Sequence, residues 1–222
     1  MRKILLLLVI SADALSGWSQ QGERMQTAAG LSDQPNARAS DLFRKGQEYT
    51  NNKQYEKGIA CYEQAIALDS AYIDAYNNVG LGFFETNALD SSAYYLHISL
   101  RKRAANVPAL TNLGLVEEKQ GNLQGAVEHF QQVIKLEPQN PEGYYDVASP
   151  LLDLGKLQEG LAAAKQAERL FEQAHSASLP DCHYLLLIAY FNLKDVPNAK
   201  KYFALCKKEN TQIDPQIVAA LQ

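Results

Sequence analysis

Four histidines, three cysteines and a surplus of carboxylates are the side chains of this 222-residue sequence that could do more than pack. His97, His129, His175 and His183 never stand four residues apart, so no helix offers two imidazoles to one metal ion. Glu117 and Glu118 are adjacent, which turns them to different sides of a helix instead of converging on one substrate atom. Gly80-Leu81-Gly82 lacks the rest of a phosphate loop, and no HExxH, GxSxG, P-loop or GxGxxG spacing occurs. Cys61, Cys182 and Cys206 are too few for a disulfide framework. They are expected to act as small buried hydrophobes, with a Cys182–Cys206 bridge left open as an alternative in an oxidising compartment. No catalytic residue, cofactor or metal is therefore expected. What remains is recognition by hydrogen bonds, as from the amides of Asn77, Asn78 and Asn112, which both donate and accept.

Those residues need elements to carry them. The composition, 46% apolar and 21% charged, lies in the globular range. With 21 Lys+Arg against 25 Asp+Glu, the formal charge of −4 argues against a nucleic-acid partner. Met1-Arg2-Lys3, the apolar run Ile4–Ile10 and the small-residue site Ala12-Asp13-Ala14 form the pattern of a secretory signal peptide, placed at residues 1–19. Cleavage is expected after Ala14 or nearer Ser19; an uncleaved tether and a buried N-terminal element of the fold are the alternatives. The run is too short to span a membrane, so no transmembrane span is expected in the mature form. An exported location follows, periplasmic or extracellular and bacterial in type. Residues 20–38, rich in Gln, Gly, Ser and Asn, predict a flexible linker.

Beyond that linker a 34-residue period takes over. Gly46, Gly80, Gly114 and Ala148 keep it, as do Tyr62, Leu96 and Phe130, and Ala65, Ser99, Val133 and Ala167. Five units follow: 39–72, 73–106, 107–140, 141–174 and, after a five-residue insertion, 180–213. Each holds two stretches with apolar residues at i, i+3, i+4 and i+7, the spacing of amphipathic helices. The glycine register predicts close helix crossings, filled beside by Tyr49, Phe83, Leu151 and Tyr190. One such pair cannot bury its own apolar stripe, so neighbours must stack. Pro150 predicts a kink in the fourth unit, and Leu187, at the close-contact position of the fifth, predicts a pair pushed apart. Asp214-Pro215 predicts a short capping helix over 214–222.

The third unit, with Leu110, Leu113-Gly114, Gly121-Asn122-Leu123, Ala126, Phe130 and Leu136-Glu137-Pro138, resembles the tetratricopeptide repeat family nearly throughout. The resemblance extends over five tandem repeats, residues 39–213. It implies an all-α fold, a right-handed superhelix of antiparallel helix pairs whose first helices line a concave, peptide-binding groove. It also implies which residues face that groove: Phe43, Gln47, Asp74, Asn77, Asn78, Leu81, Phe84, Asn112, Leu115, Tyr145, Asp146, Tyr184 and Ile188. Around them stand Glu85, Glu118, Glu142, Asp153 and Asp181, against only Arg44 and Lys119. Such a groove favours a basic or apolar segment; the bland alternative is a solvated or self-contacting face. The family's clamp for chaperone C-termini needs cations where this sequence has Phe43, Pro108 and Asn112. The expected function is an exported, non-catalytic scaffold for a protein or peptide. A homo-oligomeric, self-assembling structural component is the alternative.

Overall fold

In a computed structural model of the chain, which describes residues 36–222, eleven helices follow one another, and no strand occurs among the described residues. They are α1 (Ala37–Asn51), α2 (Tyr55–Leu68), α3 (Ile73–Glu85), α4 (Leu89–Lys102), α5 (Val107–Gln120) and α6 (Leu123–Leu136). Then come α7 (Pro141–Asp153), α8 (Leu157–Ala174), α9 (Leu179–Asn192), α10 (Val196–Lys208) and α11 (Pro215–Leu221). The signal-peptide pattern and most of the expected linker lie outside the described residues. α1 begins within that linker's last residues, because Asn36 accepts from Arg38 N and Ala39 N at 3.0 and 3.1 Å and caps the helix.

Each helix packs on the next, and α3 also touches α5, as α7 touches α9. The result is a right-handed solenoid of antiparallel pairs, α1/α2 through α9/α10. Odd-numbered helices form one row and even-numbered helices a second. The core is a string of clusters between successive pairs, such as Ile59–Tyr62–Val79 and Phe130–Val147–Leu151. That arrangement makes stability a sum of neighbour interfaces.

The glycine register marks equivalent helix crossings. A Cβ on Gly46, Gly80 or Gly114 would stand 2.5, 2.6 and 2.5 Å from Tyr62, Leu96 and Phe130, all fully buried. At the fourth crossing both positions are small, Ala148 and Ala164, and fully buried. A second register runs through the turns inside each pair: Lys53, Asn87, Gly121, Gly155 and Lys194 all adopt positive φ, between 57° and 82°. Glycine takes that conformation without strain, whereas the two lysines carry a Cβ penalty.

Two local expectations concern the fourth and fifth pairs. α7 continues through Pro150 to Asp153, with the proline ring fully buried. Leu187, at the close-contact position of the fifth pair, is fully buried. α9 is apolar on nearly every side and is enclosed by α7, α8 and α10. α8 is longer than its counterparts, because its alanine- and glutamate-rich tail has no breaker before His175, which ends it at φ 50°. α11 is capped by Asp214 Oδ1, which accepts from Gln216 N at 2.7 Å, and it buries Ile217 and Leu221.

Candidate functional site

The odd-numbered row carries the expected groove, and contacts between its helices locate the side chains. Asn112 Nδ2 on α5 donates to Asn77 Oδ1 on α3 at 3.2 Å, and both residues are buried. Lys119 Nζ on α5 lies 4.9 Å from the centre of the Phe84 ring on α3. Asn78 Nδ2 donates back to Asp74 O within its own helix at 2.8 Å. The three amides thus serve the fold: each has a group engaged inside the protein, and two of them are enclosed. Phe43 is likewise committed, its ring centre 5.2 Å from Tyr62 and 4.8 Å from Tyr72. Ile188 is buried. Gln47 and Asp74 are exposed, and Leu81, Phe84, Leu115, Tyr145, Asp146 and Tyr184 are half-buried, leaving part of each available to a ligand.

Electrostatics divides this row. Arg44 on α1 is exposed and pairs with Glu48 at 2.9 Å and Asp41 at 3.6 Å. Towards the carboxyl end, Glu118 on α5, Glu142, Asp146 and Asp153 on α7 and Asp181 on α9 enter no ion pair among the described residues. Burial raises all five carboxyl groups above their usual range. Glu118 reaches about 7, with Asp153 adding to the rise and a hydrogen bond from Ser149 opposing it. Asp181 adds to the rise at Glu142, and Glu142 and Glu118 add to that at Asp146. Oδ2 of Asp146 is the one side-chain polar atom among the described residues that is sealed from solvent with no hydrogen-bond partner.

Of the other chemistry-bearing residues, His97 and His175 are exposed, and the rest are engaged by the fold. Glu117 turns away from Glu118 and meets His129 Nδ1 at 2.8 Å, across the α5/α6 pair. His183 is buried, with Glu209 2.8 Å from Nδ1 and Glu168 3.6 Å from Nε2. Tyr202 donates to Glu168 at 2.9 Å. The three cysteines are free and buried, and Cys182 Sγ lies 3.4 Å from Ala164 O. No cluster of His, Cys, Asp and Glu among the described residues is arranged to hold a metal ion. No helix among them is long and apolar enough to cross a membrane.

Family models agree with this architecture. One for the TPR repeat matches residues 46–87, and one for the tetratricopeptide repeat matches 106–178. The chain belongs to the tetratricopeptide repeat family. A curated relative, the chloroplastic tetratricopeptide repeat domain-containing protein PYG7 of Arabidopsis thaliana, is 28% identical over 60% of this chain and 45% of its own. Anaphase-promoting complex subunit 3 of Schizosaccharomyces pombe is 19% identical over 72% of this chain and 24% of its own. The chain thus spans less than half the length of either curated relative. Among solved structures, MamA from Desulfovibrio magneticus superposes with a TM-score of 0.70 at 14% identity, covering 79% of this chain and 96% of that one. The first TPR of Spaghetti (RPAP3), bound to the HSP90 peptide SRMEEVD, gives 0.53 at 19% identity over 57% of this chain and 99% of that one. At these identities the likeness is one of fold.

Proposed function

We propose that this protein is an exported, non-catalytic scaffold that holds a basic or apolar segment of another protein along the row formed by α3, α5, α7 and α9. The observation that carries this role is the carboxylate surplus on that row, where Glu118, Glu142, Asp146, Asp153 and Asp181 enter no ion pair among the described residues. A tetratricopeptide fold engaging the peptide SRMEEVD sets a precedent for segment binding in a related architecture. Here the charge is of the opposite kind: an acidic face repels an acidic peptide and draws a basic one. Export rests on Met1–Ser19 and is checked by the amino-terminal sequence of the protein recovered outside the cytoplasm.

The test is an array of immobilised nonapeptides of mixed composition, probed with the full chain. Leu81→Glu and Leu115→Glu on the groove row should abolish capture, while Tyr94→Glu on α4, where the ring is 62% exposed, should leave it intact. Equal capture by all of these variants overturns groove recognition. Self-assembly through the last pair, which the seven-residue α11 covers with Ile217 and Leu221, is the second reading; sedimentation at increasing concentration tests it, and a persistent monomer excludes it.

A further inference from the structure

The solvent-facing side of α10 is a stripe of lysine. Ala199, Tyr202, Phe203 and Cys206 turn inward and are buried. The opposite side of the helix, pointing away from α9, carries Lys200, Lys201, Lys207 and Lys208, all exposed. The two pairs are two helical turns apart, about 10 Å, so the four charges share one side. Exposed Lys194, in the turn before α10, extends the stripe, and exposed Lys165 of α8 widens it. Lys165 Nζ lies 5.4 Å from the centre of the Tyr190 ring, which stacks at 5.5 Å on Tyr202, and Lys201 Nζ lies 4.9 Å from the centre of Tyr202. None of these lysines enters an ion pair among the described residues. The carboxylates at the two ends of α10 are turned inward: Asp195 accepts from Asn198 N at 3.3 Å and caps the helix, and Glu209 meets buried His183 at 2.8 Å. A chain of formal charge −4 thus gathers unpaired positive charge at one end of the even-numbered row. Lys207 and Lys208 also suit the negative end of the helix dipole, but Lys200 and Lys201 lie in the first half of α10 and have no such reason.

We propose that this stripe lays the protein on a membrane surface rich in anionic lipid, independently of what the groove row binds. Clustered lysines are drawn to such a surface by its negative potential. The make-up of the stripe favours lipid over other anionic partners. Lysine is a hydrated point charge on a flexible stem, without the planar fork by which arginine grips one phosphate or carboxylate at two points. Pro197 and Ala204, exposed between the lysines, offer no side-chain hydrogen bond to set the register of an acidic peptide or to read a base edge. The rings of Tyr202 and Phe203 are buried, so nucleic-acid bases have no platform to stack on. Lys207 Nζ rests 4.4 Å from the centre of the Phe203 ring, as Lys201 rests on Tyr202, which keeps both stems close along the helix. What remains is a broad, unspecific display of charge on the outer side of a helix. With that side on the lipid, α9 stands behind α10 and the odd-numbered row stays clear.

The experiment is sedimentation of the full chain with lipid vesicles. The protein should pellet with vesicles of phosphatidylglycerol and phosphatidylcholine in equal parts, stay in solution with phosphatidylcholine alone, and be released by about 0.5 M NaCl, where screening is short-ranged. Lys200→Glu with Lys201→Glu should weaken binding about ten-fold or more. Glutamate suits the first half of a helix, so α10 should persist, as circular dichroism checks. Lys200→Arg with Lys201→Arg keeps the charge and should bind like the wild type. Lys45→Glu with Lys57→Glu makes the same charge change beside Tyr49, at the other end of the described chain, and should leave binding within about three-fold. An equal loss in that variant would report net charge alone and overturn the proposal. So would pelleting with neither vesicle, or equal pelleting with both, as an apolar anchor gives. Loss in the arginine variant overturns it too, as does a tighter complex with polyglutamate or a DNA oligonucleotide that the Lys200→Glu, Lys201→Glu variant loses. Peptide capture by the groove row should be unchanged in that variant, so either reading can fail while the other stands.

Discussion

The two rows of helices treat their carboxylates in opposite ways. On the even-numbered row, Glu63 of α2 accepts from the Tyr95 hydroxyl of α4 at 2.9 Å, and Glu168 of α8 accepts from Tyr202 of α10 at 2.9 Å. These bonds step from one repeat to the next and knit the stack. On the odd-numbered row Glu142, Asp146 and Asp181 have no such partner, and burial presses each towards its neutral form. One row uses its polar groups to hold itself together. The other leaves Glu142, Asp146 and Asp181 unmatched among the described residues, although Glu117 and Glu118 are bonded to His129 and Ser149.

If that contrast is correct, removing charge should have opposite signs on the two rows. Glu118→Gln should stabilise the protein at about pH 8 by roughly 1–3 kcal/mol, since it removes a carboxylate charged at a cost. The sign follows from the raised value: between about 4.5 and about 7 the folded state holds a proton that the unfolded state has lost. This contribution therefore falls as pH rises through that window, and the variant should match the wild type at about pH 4, as read by urea unfolding at both pH values. Glu168→Ala on the other row should destabilise by about 1–3 kcal/mol, because the Tyr202 hydroxyl loses its acceptor and buried His183 the farther of its two carboxylates. A stabilising result there would erase the distinction. Asn112→Ala should cost about 1–2 kcal/mol in the same assay, since Asn77 Oδ1 is left buried without its donor. Smallest is Tyr95→Phe, about 0.5 kcal/mol by thermal melting, because its bond to Glu63 is exposed.

Much of the fold was visible in spacing. Gly46, Gly80 and Gly114 could be assigned to close crossings because only a missing side chain makes room for a ring or leucine at 2.5–2.6 Å. The turn register was half visible: Gly121 and Gly155 stand 34 residues apart, but Lys53 and Lys194 hide the same left-handed conformation behind ordinary side chains. Pro150 and Leu187 are both fully buried, a fact of packing that a local rule for helix breaking or crowding does not contain. The groove was legible as a set of positions, while its chemistry was not. Asn77 and Asn112 lie 35 residues apart, and nothing in either position shows that each satisfies the other. The unpartnered Oδ2 of Asp146 depends on which donors stay away, and that is a property of packing.

The contrast between the rows is tested most directly by hydrogen exchange on the full chain, with and without the tightest-binding nonapeptide from the array. Slowed exchange should gather in α5, α7 and α9, around Glu118, Asp146 and Asp181, with α2, α4 and α10 unchanged. Protection confined to the even-numbered helices would contradict the account.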